Sequence, residues 1–86
     1  MEYVIEGTKM TDRRAAHEEI ACAMRFPGYY GCNLDALFDM LSTFEGKAVI
    51  KNTACALNIL GGYGCNLLKT FFDAAEENSR FTFILE

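Results

Sequence analysis

The sequence predicts an α/β domain of two layers, in which a three-stranded parallel sheet of order 1-2-3 is backed by three to four helices. Three observations lead there. Segments with strand character, Tyr3 to Glu6, Ala48 to Lys51 and Phe81 to Leu85, are spaced along the chain with helical patterns between them. Strands separated by helices pair in parallel through right-handed crossovers. Tyr3 and Ile5 alternate with Glu2, Val4 and Glu6, and Phe81, Phe83 and Leu85 alternate with Thr82 and Ile84. Such alternation means that one face of the sheet is covered far better than the other. With both crossovers on that face the strand order is 1-2-3, and Val4, Val49 and Ile84 form a small exposed patch on the opposite side.

The helices follow in turn. The first runs from about Asp12 to Met24, capped by Thr11 or Asp12, with Ala16, Ile20, Ala23 and Met24 on one stripe. The second starts at Asn33, ends before Gly46 and buries Leu34, Leu37, Phe38 and Leu41. A short one spans Thr53 to Leu60 and is stopped by Gly61-Gly62. The last begins near Asn66 and places Leu67, Leu68, Phe71, Phe72 and Ala75 at the core or its edge, before the polar stretch Glu76 to Ser79. Tyr30-Gly31-Cys32-Asn33-Leu34 recurs as Tyr63-Gly64-Cys65-Asn66-Leu67. The simplest account is a glycine turn followed by an asparagine cap, used twice.

Eighty-six residues with 51% hydrophobic content make a single domain, residues 1–86, with one buried core. A net charge of -4 argues against nucleic acid or an anionic membrane as partner and favours a basic protein. The opening residues lack the pattern of a signal peptide, which places the chain in the cytoplasm. There Cys22, Cys32, Cys55 and Cys65 are expected to be reduced core residues. No two of them are close enough in sequence for the usual zinc-ligand pair, and no cofactor or metal is expected. His17, the only histidine, sits at the margin of the first helix's stripe, in a packing or capping position.

The most informative stretch lies between Phe26 and Phe44. A Pro27-Gly28-Tyr29-Tyr30 turn feeds the helix starting at Asn33, whose outer flank carries Asp35 and Asp39. No Lys or Arg occurs between Arg25 and Lys47 to neutralise them. Tyr29 and Tyr30 cannot both face inward easily, so at least one is exposed beside the acid. Two carboxylates on one exposed helix face have no means of separating their pKa values, so they do not make a catalytic acid/base pair. The pattern is that of a surface for binding something basic.

Pro27, Tyr29, Tyr30, Gly31, Asn33, Leu34, Asp35, Ala36, Leu37 and Asp39, at these intervals, resemble the barstar family of ribonuclease inhibitors. The likeness extends weakly over the rest of the chain, through an opening strand ending in Gly7, His17 on the first helix and a hydrophobic closing strand. It implies the same two-layer fold and a non-catalytic, intracellular inhibitor that plugs a barnase-like ribonuclease. Carried across, it implies that Asp39 takes the place of a substrate phosphate and that Asp35 accepts hydrogen bonds from the enzyme's loops. Tyr29 would pack on the catalytic region, with Tyr30, Gly31, Asn33, Leu34 and Phe38 at the contact. Thr43, Phe44 and Asp73 would form its rim. The family pattern has Trp where this chain has Phe38 and Phe44, Gly where it has Thr43, and a Glu that aligns with Asp73, one methylene shorter. A Pro before the second strand is replaced by the region Glu45-Gly46-Lys47. These departures alter the rim and leave the central plug intact.

The implied complex is one-to-one, with a free protein that is monomeric and binds neither nucleic acid nor membrane. Immunity against a different basic toxin nuclease is the alternative reading. From another class comes a thiol enzyme or redox sensor using Cys32 or Cys65 near a helix start.

Overall fold

The computed structural model describes residues 2–86. Its three strands, β1 (Glu2–Glu6), β2 (Gly46–Lys51) and β3 (Phe81–Leu85), pair in parallel in the order β1-β2-β3. The register puts Tyr3 beside Ala48 and Ala48 beside Phe83, and sets Ile5 beside Ile50. These residues face the helices. The next row, Val4, Val49 and Ile84, faces away. Val4 and Ile84 are exposed, whereas Val49, flanked by both, is buried. The outward apolar patch is therefore real but limited to its two flanks. An ion pair from Lys47 to Glu2 at 3.7 Å borders it on the same face.

Four helices complete the fold: α1 (Arg13–Met24), α2 (Leu34–Ser42), α3 (Thr53–Leu60) and α4 (Gly62–Glu77). Ala16, Ile20 and Met24 of α1, Leu37 and Leu41 of α2, Ala56 of α3, and Leu67, Phe71 and Ala74 of α4 meet Ile5, Ala48, Ile50 and Phe81 in one core. Helical periodicity and strand alternation thus converge on a shared apolar layer, whose burial supplies the main drive to fold. Asp12 caps α1 by accepting a hydrogen bond from the Ala15 amide at 2.7 Å. Between β1 and α1 lies a 3-10 turn, Gly7–Lys9, which the sequence did not announce.

The last helix departs from expectation. α4 starts at Gly62, four residues before Asn66, so Asn66 lies inside the helix and caps nothing. The two copies of the Tyr-Gly-Cys-Asn-Leu string therefore adopt different structures. The first is a turn with a capping asparagine; the second is helical throughout. Gly64 serves close packing: a Cβ there would lie 3.2 Å from Leu57 and Leu60 side-chain atoms of α3. Phe72, expected at the core or its edge, is 54% exposed, with its ring edge-on to Phe83 at 4.6 Å.

Candidate functional site

The face formed by α2 and the turn before it is built on local hydrogen bonds. Asn33 accepts from the Ala36 amide at 2.7 Å, capping α2, and its own amide nitrogen donates to the Gly31 carbonyl at 3.2 Å. A Cβ on Gly31 would stand 3.2 Å from that same nitrogen, so glycine lets the capping side chain lie flat. Cys32, between them, holds a left-handed backbone with φ 53°. The turn itself closes through the Tyr30 amide on the Pro27 carbonyl at 3.0 Å.

Leu37 and Leu41 anchor α2 in the core, and Leu34 and Phe38 are half-buried beside them. The helix's other flank presents Asp35 and Asp39 to solvent. Among the described residues the ion pairs are Arg14–Glu18, Lys47–Glu2, Lys69–Asp73 and Arg80–Glu45, so neither aspartate is in one. Asp35 does share an open groove with Arg13 and Arg14 of α1, which the absence of nearby cations in sequence had concealed. Asp35 lies in the first turn of α2, where the helix dipole favours a carboxylate; Asp39 lies beyond it.

The two tyrosines separate. Tyr29 is 82% exposed, in the turn that leads into α2. Tyr30, expected at the contact surface, is buried at 8% in the free chain. Its hydroxyl lies 2.7 Å from His17 Nδ1, and His17 Nε2 lies 2.6 Å from the Tyr63 hydroxyl. The Tyr30 ring packs on Phe26 at 5.0 Å between centroids. Burial pushes the Tyr30 phenol far above its ordinary value, keeping it neutral, and holds His17 below the usual imidazole value. Tyr30 therefore fixes the turn from beneath while Tyr29 projects from it.

The rim residues divide likewise. Thr43 is exposed at the end of α2. Phe44, expected at the rim, turns its ring into an aromatic cluster with Tyr3 at 5.0 Å, Phe81 at 5.9 Å and Phe26 at 6.3 Å. Its role is to seat the loop after α2. Asp73 is half-exposed on α4 and already engages Lys69 at 3.2 Å. Asn78 is a residue that sequence reasoning passed over as part of a polar helix end. It is buried, and its amide donates to the carbonyls of Leu41 and Phe44 at 2.9 and 2.8 Å. One side chain thereby ties the end of α2 to the α4–β3 junction. Its only sequence signal was an asparagine where a helix stops.

The family model described as Barstar (barnase inhibitor) matches residues 1–86, the whole chain. The chain belongs to the barstar family. No curated protein matches it. The barstar family is one of inhibitors of barnase-type ribonucleases and not of enzymes. The three-stranded parallel sheet with four helices agrees with a barstar-like fold. None of the described helices is long and apolar enough to cross a membrane.

Proposed function

We propose that this protein inhibits a barnase-type ribonuclease by closing its active site with α2 and the Tyr29 turn, in a one-to-one complex formed in the cytoplasm by a monomeric inhibitor. The observation that carries this reading is the exposed Asp39 on a well-anchored helix, in no ion pair among the described residues. A ribonuclease site is built to hold a phosphate, and a carboxylate fixed on a helix enters it with little loss of conformational freedom. Arg side chains lining that site meet the carboxylate with charge-assisted, often bidentate hydrogen bonds. Asp35 adds a second acceptor toward the enzyme's loops, and Tyr29 offers an aromatic ring for the surrounding surface. Gly31, Asn33, Leu34 and Phe38 complete the contact, with Thr43 at its margin; Tyr30, Phe44 and Asn78 hold that surface in place.

Isothermal titration of a catalytically silenced barnase with this protein tests the reading. The unmodified chain binds tightly, and Asp39→Ala costs about 2–5 kcal/mol, the range for removing one partner of a desolvated charge pair. Equal affinity in the variant would reject Asp39 as the phosphate mimic. Indifference to barnase, with capture of another basic nuclease through the same helix, would replace the barnase-type partner with that one.

A further inference from the structure

Beside the acidic flank of α2 lies an open groove of about 820 Å³, lined by Arg13, Arg14, Cys32, Asn33, Leu34, Asp35 and Tyr63. One wall is anionic and belongs to the proposed inhibitory face. The other is cationic, and its two arginines differ. Arg14 has a carboxylate of its own, Glu18, at 3.5 Å one turn along α1. Arg13 belongs to none of the ion pairs among the described residues, and its guanidinium lies 4.5 Å above the Tyr63 ring. That ring is itself fixed, because the Tyr63 hydroxyl is hydrogen-bonded to the buried His17. Arg13 is thus a cation held in place by a stacked platform.

A free positive charge at this position opposes docking of a basic enzyme unless something on that enzyme answers it. We propose that the groove receives an acidic side chain, an Asp or Glu carboxylate, from the rim of the bound ribonuclease's cleft, and that Arg13 reads it. The inference rests on the proposed inhibitory function and makes Arg13 a determinant of which ribonuclease is accepted. An enzyme with a carboxylate at the matching place gains a charge-assisted, planar contact. One that is basic there meets repulsion, which is selection by exclusion as much as by attraction. The net charge of -4 favours this protein ligand over an RNA phosphate.

The test is a double-mutant cycle by titration calorimetry. Unmodified protein, Arg13→Ala, Arg13→Glu and Asp39→Ala are each paired with silenced barnase and with barnase variants in which single cleft-rim Asp or Glu residues become Ala. Arg13→Ala is expected to weaken binding about tenfold and Arg13→Glu further. One enzyme carboxylate should couple to Arg13 and not to Asp39. Coincident unfolding curves for the Arg13 variants and the unmodified protein exclude a folding defect; if the curves differ, Arg13→Gln, which removes the charge but keeps a long polar side chain, replaces them with the same expected loss. Unchanged affinity in the Arg13 variants alongside a large loss in Asp39→Ala overturns this inference alone. Weaker binding with no coupling to any enzyme carboxylate also overturns it. Saturable binding of inorganic phosphate in the free groove, lost in Arg13→Ala, assigns the site to a free anion and overturns it too. Absence of binding by the unmodified protein overturns the proposed function and the inference together.

Discussion

His17 shows how much one buried polar side chain can organise. Its two nitrogens face the hydroxyls of Tyr30 and Tyr63, from a loop and from α4, so three segments meet at one imidazole. In neutral His17 one ring nitrogen donates to a tyrosine hydroxyl and the other accepts from the second. Protonating His17 makes both nitrogens donors and leaves the tyrosine hydroxyl that had donated without its acceptor. The charges and titratable groups close by are Arg13 over the Tyr63 ring and Cys32, and neither supplies an acceptor that favours an imidazolium. Burial holds the His17 pKa below its ordinary value near 6.5. The unfolded chain then binds the proton that the folded one resists, so stability is complete above about pH 6.5 and falls as pH drops below it. Denaturant unfolding from pH 8 to 5 should show that slope, and His17→Gln should flatten its contribution. A variant with the same slope as the unmodified protein would place the effect elsewhere.

At the scale of the element, α2 is only nine residues long and could not persist on its own. It is held at both ends. Asn33 closes its start, so Asn33→Ala should cost about 0.5–2 kcal/mol of stability by chemical denaturation. Asn78 secures its end from a distant part of the chain. Asn78→Ala leaves the Leu41 and Phe44 carbonyls without that donor and should cost about 2–3 kcal/mol. It should also loosen the segment that carries Asp39, read as faster amide exchange over Phe38 to Phe44. The start of α2 was legible because a capping asparagine acts on its own neighbours. The Asn78 tether was not, because a hydrogen bond across 37 residues leaves no periodic trace. The start of α4 was misjudged for a related reason. The string around Asn66 copies a capping sequence, but packing of Gly64 against α3 keeps the chain helical through it.

For the molecule as a whole, charge sets how it meets a partner. With a net charge of -4 and two aspartates on α2 that form no ion pair among the described residues, association with a basic ribonuclease should be fast at low salt and slow steeply as salt rises. Stopped-flow association rates across 25 to 500 mM salt test this, with dissociation expected to change far less. Neutralising Asp35 and Asp39 together should flatten the salt dependence. A steep dependence surviving that change would move the steering charge to another face.

The sequence by itself determined the layers, the strand order and the acidic flank of α2. Those follow from alternation, helical period and local capping, all of which act between residues near one another in the chain. Tertiary structure alone decided which tyrosine faces out, that the Phe44 ring packs against Tyr3, Phe26 and Phe81, and that Asn78 braces the helix. It also brought Arg13 and Arg14 to the groove beside Asp35, where the sequence nearby holds no cation. Each of these depends on which face of one element meets another, and that is fixed by competition for a shared core once all the elements are assembled.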